Sequence, residues 1–169
     1  VAILVSAVGD WVALVALALQ AKEISGDGMG GGIAIAAIFI CLWAPVVLLA
    51  GYVGLLVDRM ETRSLLLVVS AGQAVVALGL ALLHSQVLLY VLAALLGVGI
   101  AVAQAAEFAL IPVVAGGRPI QKANGTVEMA RALGFTLGPL CGGLLVAAGG
   151  ITAAMLVDAA SFVVVGLAA

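Results

Sequence analysis

Long apolar runs alternate with short polar breaks along this chain. The runs cover about 1–21, 31–57, 64–83, 87–112, 123–148 and 151–169. Each is near or above the ~20 residues that carry a helix across the apolar part of a bilayer. Only helices and closed barrels satisfy every backbone N–H and C=O in lipid. The runs are too long for tilted barrel strands and show no period-two alternation. The pattern therefore predicts an all-α integral membrane protein with six transmembrane helices in one bundle over residues 1–169. The breaks are "QAKEISGDGMGGG", a polar glycine-rich loop, then "DRMETR", "HSQ", "VVAGGRPIQKAN" and the bare pair Gly149–Gly150. The last is so short that the fifth and sixth helices should form a close hairpin.

Composition agrees. The 169 residues are 66% hydrophobic and only 8% charged, with a mean hydropathy of +1.42. A soluble domain is about one quarter charged, so this chain cannot cover itself with polar groups. Six Lys plus Arg with no basic run give no footing for nucleic acid. Cys41 and Cys141 both lie inside apolar runs and read as small core residues rather than a disulfide or metal pair. The chain begins at Val1 and stops at Ala169 inside apolar runs, with no basic leader and cleavage site. This predicts a fragment of a longer chain.

Charge in the breaks gives orientation. The second and fourth hold Arg59, Arg63, Arg118 and Lys122, whereas the first, third and fifth hold only Lys22. Basic short loops stay in the cytoplasm. Both ends of a six-helix chain then face the cytoplasm, in a plasma or inner cell membrane. His84, alone in an outer turn, reads as a solvated loop residue.

Five charges fall inside the apolar runs: Asp10, Glu107, Glu128, Arg131 and Asp158. A charge at mid-bilayer costs at least ~2.5–3.5 kcal/mol, so such residues face a protein interior or a wet cavity. Asp10 lies roughly 15 Å along the first helix from Val1, about halfway across. It must reach water, find a partner on another helix, or hold a proton. Glu107 lies near the cytoplasmic end of the fourth helix. Glu128 and Arg131, three apart on one face, begin the fifth. All three share a depth, so Arg131 can pair with either acid. Asp158, two turns past the outer Gly149–Gly150, reads as a polar contact between helices. The surplus of carboxylates favours protons or cationic substrates over anions.

The fifth helix reads "ARALGFTLGPLCGGLL". Gly134, Gly138 and Gly142 recur every four residues on one face, where they let two backbones approach closely. Pro139 removes a backbone hydrogen bond and bends the helix, and Pro45 and Pro112 interrupt two others. With Gly143, the stretch suits a hinge or a sealed interface between moving bundles.

Three stretches together resemble the major facilitator superfamily. "GLLVDRMETR", from Gly54 through Asp58 and Arg59 to Arg63, resembles its signature loop between the second and third helices. "GFTLGPLCGG" in the fifth helix resembles the motif associated with its antiporters. "VGDWVALVAL" and "MLVDAASFVV" in the first and sixth helices resemble the branch of enterobactin-type siderophore exporters and macrolide efflux proteins. The resemblance implies that the chain is the N-terminal six-helix half of a twelve-helix fold, built as two inverted three-helix repeats, with the C-terminal half missing. It implies alternating access around a cavity lined by the first and fourth helices, which carry Asp10, Gln104 and Glu107. It implies that the second and fifth helices pack against the other half, with Gly54, Asp58, Arg59 and Arg63 as a cytoplasmic gate. Two departures stand out. Glu61 and Thr62 replace the usual glycine and basic residue of the signature loop. The fourth helix has Gln104 and Glu107 but no arginine, which removes proton coupling or moves it to residues such as Asp10.

The function expected is a secondary active exporter of amphipathic small molecules, of drug, macrolide or siderophore type, coupled to H+. Its partners are the lipid bilayer, the substrate, the proton and the missing half. A lipid or lysolipid flippase or a metabolite importer is the alternative. An intramembrane enzyme or a scaffold is a third reading, but Ser6, Ser70 and Ser161 have no base motif beside them, and there is no HExxH or GxSxG. No cofactor or metal is expected.

Overall fold

The computed structural model describes residues 2–83, 85–115 and 119–168. His84 and Arg118, both singled out above, lie outside the described residues. The described chain is helical nearly throughout: α1 (Ala2–Ser25), α2 (Met29–Leu48), α3 (Ala50–Arg59), α4 (Thr62–Leu82), α5 (Gln86–Ala115) and α6 (Ile120–Ala168). Five are long and apolar enough to cross a membrane by length and composition: Ile3–Ser25, Met29–Leu48, Thr62–Leu82, Gln86–Val113 and Ile120–Leu167. The last is 48 residues long, enough for two crossings.

Three elements differ from the run boundaries, each for a local reason. The glycine-rich loop shrinks to residues 26–28. Gly26 and Gly28 take φ of 79° and 91°, a left-handed region that costs glycine little, so the chain turns in three residues. A Lys22–Asp27 ion pair of 3.2 Å spans the turn. The second run is a bent rod rather than one straight helix. Pro45 has no N–H to offer the Cys41 carbonyl, and the helix breaks at Leu49 (φ −95°, ψ 0°), although Leu49 N–H still donates to the Pro45 carbonyl at 2.9 Å. Finally, the hairpin between the fifth and sixth runs is a single residue. Gly150, at φ 76° and ψ 178°, is the one non-helical position within α6. It divides α6 into limbs 120–149 and 151–168.

The core sits between α1 and its neighbours. Val12, Ala16 and Leu17 of α1 are fully buried with Ala77 and Leu80 of α4, Ala93 of α5, and Ala154 and Met155 of α6. A smaller cluster joins α3, α4 and α5 through Val53, Val57, Leu65, Leu66, Val102 and Ala106. The outside is also apolar: Ile33, Ile40, Val47, Leu48, Val68, Val75 and Val87 are exposed. Water would make that surface a liability; lipid makes it the expected one.

Glycine sets how closely the helices approach. A Cβ on Gly97 of α5 would collide with the Leu42 carbonyl and stand 3.0 Å from the Cys41 carbonyl. Cys41 is the residue whose carbonyl Pro45 leaves without its helical donor. Gly97 therefore seats the α5 backbone against the bend in α2.

Candidate functional site

The site is built on the seam between α1 and α6, the most extensive helix pair. Along limb 120–149, a Cβ on Gly134 would press on Ala7, one on Gly138 would collide with Trp11, and one on Gly142 would lie 3.1 Å from Val12 Cα. The matching numbers rise together, so this limb runs parallel to α1. Limb 151–168 packs on another side of α1. There a Cβ on Gly9 would collide with Ser161 and stand 3.0 Å from Asp158 Oδ1. The face of Gly134, Gly138 and Gly142 is thus occupied by α1 of the same bundle. This corrects the expectation that those glycines are available to seal an interface with another half. Pro139 lies on the same stretch half-buried, and Gly143 points into open space.

This packing leaves a cavity of about 360 Å³ among α1, α2, α4, α5 and both limbs of α6. Its wall carries Asp10 and Trp11 from α1, Trp43 from α2, Ser70 and Gln73 from α4, and Gln104 and Glu107 from α5. Limb 120–149 adds Glu128, Arg131 and Phe135, and limb 151–168 adds Asp158 and Phe162. Asp10, Gln104, Glu107, Glu128 and Arg131, all singled out from the sequence, therefore line one space. Trp11 and Phe135 meet edge to face with centroids 4.7 Å apart, which fixes both rings.

At one end of the cavity the charged groups are paired. Arg131 donates to Glu107 Oε2 at 3.0 Å and lies 3.7 Å from Glu128 Oε1. Its guanidinium sits 4.5 Å from the Phe108 ring centroid, a cation–π contact. A planar guanidinium with five donors can serve two carboxylates and a ring face at once. The three-residue spacing of Glu128 and Arg131 supplies one pairing, and the depth of Glu107 supplies the other.

At the other end they are not. Asp158 is 0% exposed, and neither carboxylate oxygen has a hydrogen-bond partner among the described residues. The Ser161 hydroxyl donates to the Asp158 main-chain carbonyl at 2.8 Å and stands beside the carboxylate. Asp10 is close enough for its charge to act on Asp158, and it also feels Glu107 and Arg131. The sequence reading made Asp158 a polar contact between helices; the structure places it on the cavity wall without that contact. Sequence reasoning also missed Ser70 and Gln73, which are 2% and 4% exposed. Their three-residue spacing in an otherwise apolar run was the available signal.

The "DRMETR" cluster lies elsewhere. Gly54, Asp58, Arg59 and Arg63 are exposed, and none lines the cavity. Arg59 closes α3, Met60 is extended, and Glu61 is the extended residue that caps the start of α4. Ser64 donates to Glu61 Oε2 at 2.8 Å. Glu61, which departs from the superfamily's usual glycine, is thus tied into the first turn of the next helix.

A bundle of membrane-length helices, apolar outside and enclosing a cavity lined by aromatic, polar and charged side chains, is that of a multi-pass membrane protein. The chain belongs to the major facilitator superfamily, whose model matches residues 1–169. Comparison with curated proteins and with solved structures gives no match. Family membership supports a secondary transporter in general, and the six helices among the described residues are consistent with half of that fold.

Proposed function

We propose that the chain is the N-terminal half of a proton-coupled exporter of amphipathic small molecules, working by alternating access with a second six-helix half. The observation that carries this reading is the composition of the cavity wall. Trp11, Trp43, Phe135 and Phe162 offer flat apolar surface, while Asp10, Gln104 and the Arg131 cluster offer charge and hydrogen bonds. Pockets for small molecules combine a mainly apolar lining with a few convergent polar groups. Four carboxylates against one guanidinium suit a positively charged group or a proton better than an anion. The α1 and α6 stretches that resemble siderophore and macrolide exporters agree with a bulky substrate. The protein sits in a plasma or inner cell membrane with both ends of the chain in the cytoplasm, as the basic loops require. In the exposed cluster, Asp58 accepts hydrogen bonds across the interface with the second half when the cytoplasmic side closes, and Gly54 allows the close approach.

Efflux of a fluorescent amphipathic substrate from vesicles bearing the full-length protein tests the reading. Export should follow the proton gradient and stop when it is collapsed. Export that persists with no gradient of any ion would refute coupling, and uptake without export would refute the direction.

A further inference from the structure

We infer that Ser70 and Gln73 of α4 form a subsite for an uncharged carboxamide group of the transported molecule. The inference rests on the small-molecule reading above and adds to it one chemical group that the substrate carries.

The first observation is the Ser70 hydroxyl. Ser70 is buried and lines the cavity, and its Oγ has no hydrogen-bond partner among the described residues. A serine or threonine inside a helix can bond back to the carbonyl one turn earlier. Thr126 and Thr136 of limb 120–149 do so, donating to the Lys122 and Ala132 carbonyls at 2.9 and 3.0 Å. Ser70 does not. A hydroxyl kept from water in this way is costly until something bonds it.

The second observation is Gln73. It stands three residues on, on the same face of α4, and it too is buried and lines the cavity. Its amide bonds neither Ser70 Oγ nor either Asp158 oxygen, since all three lack partners among the described residues. Gly99 of α5 fixes where the amide lies. A Cβ on Gly99 would collide with Gln73 Cγ and stand 3.1 Å from Nε2, so the side chain packs directly on the α5 backbone. The neighbouring α5 residues Leu96, Ile100 and Ala103 line the cavity.

The third observation is position. Limb 151–168 runs antiparallel to α4: Thr152 donates to the Ala81 carbonyl at 3.4 Å, and a Cβ on Gly166 would lie 3.6 Å from Ser70 Cβ. Gly166 is eight residues beyond Asp158, about 12 Å along the limb. Ser70 is therefore set apart from that carboxylate, and Gln73 lies one turn nearer to it. Ser70 and Gln73 are what α4 gives the cavity wall, and neither is charged.

The chemistry of the ligand follows. A glutamine side chain presents N–H donors and a C=O acceptor side by side. A second primary carboxamide presents the complementary pair, so the two can meet through two parallel hydrogen bonds. The Ser70 hydroxyl adds a group that can donate or accept. A charged ligand group would meet no countercharge on α4. Both side chains are buried, so a group of a few atoms reaches them and a ring does not. Phe162 and Val165 give the apolar part of the same molecule a surface to rest on.

Fluorescence polarisation on the purified full-length protein in detergent tests the subsite. The probes are two naphthalene-tagged alkyl chains, alike except that one ends in a primary carboxamide and the other in an isopropyl group of the same shape. Wild type should bind the carboxamide probe about tenfold more tightly, the worth of a paired set of hydrogen bonds. Gln73→Leu should abolish that preference, weakening the carboxamide probe about tenfold and leaving the isopropyl probe within about twofold. Should Gln73→Leu fail to fold, Ser70→Ala, which removes one atom, carries the same comparison with a loss of about threefold. A wild type that binds both probes alike, or a variant that keeps the full preference, refutes the subsite and leaves the small-molecule reading standing. Equal weakening of both probes would make the pair a structural contact and refute the subsite as well. A wild type that binds neither probe counts against the small-molecule reading, and the subsite falls with it.

Discussion

The two ends of the cavity use the same chemical groups to opposite effect. At one end Arg131 is shared by Glu107 and Glu128 and stacked on Phe108. At the other Asp158 is more deeply buried, yet neither oxygen has a hydrogen-bond partner among the described residues. A closed set of charges fixes geometry: losing any member leaves the others stranded. An open set is a demand for something that comes and goes. The difference separates charges that hold helices in place from charges that are available to a ligand, although both were equally visible as carboxylates in apolar runs.

The comparison can be broken most severely at the paired end. Arg131→Gln should destabilise the protein by on the order of 3 kcal/mol, because Glu107 is left partly buried without its cation. Adding Glu107→Gln should restore much of the loss, a coupling that thermal unfolding of both single variants and the double variant would measure. A simple sum of the two single effects would mean that the pair holds nothing together.

Next comes the seam that fixes both ends. Gly138→Ala should cost about 1–3 kcal/mol, since its methyl group collides with Trp11 in a packed interface. Gly143→Ala, which faces open space, should stay within about 0.5 kcal/mol. Equal effects from the two would contradict the packing of limb 120–149 on α1.

At the open end, Asp158→Asn should leave thermal stability within about 1 kcal/mol of wild type, because no native hydrogen bond to its carboxylate is lost. A loss as large as that of Arg131→Gln would show that Asp158 is structural, and the contrast between the ends would collapse.

The smallest stability effect belongs outside the cavity. Asp58→Asn should change stability by no more than about 0.5 kcal/mol, as exposed substitutions do. It should slow export roughly tenfold, the worth of one hydrogen bond to a charged group. Unchanged export with normal membrane insertion would remove Asp58 from the gate.

The sequence made the Arg131 end readable because its logic is local. Glu128 and Arg131 are three residues apart, and Glu107 lies near the end of the preceding helix, so depth alone brings them together. Asp158 was visible as a charge but not as an unpaired one. Its surroundings depend on which side of an almost uniformly apolar helix faces α1, and hydropathy carries no signal for that in a segment apolar all round. The glycines show the same limit. Their spacing at 134, 138 and 142 marked a close-packing face, yet only the structure assigns that face to α1. Gly9 and Gly97 had no repeat to mark them. The six apolar runs were legible throughout, whereas the bend at Leu49 was not, because Pro45 fixes where a hydrogen bond is lost but not which residue yields.

Gly150 has a consequence for how the protein is made. Limb 151–168 contains neither Lys nor Arg, so it carries no orientation signal of its own under the rule that basic residues stay in the cytoplasm. Limb 120–149 carries Lys122 and Arg131. With one residue between them, the second limb has no slack in which to choose a direction independently. The direction of limb 151–168 is tied to that of limb 120–149 through a single glycine, and the position of Asp158 beside α1 is tied with it.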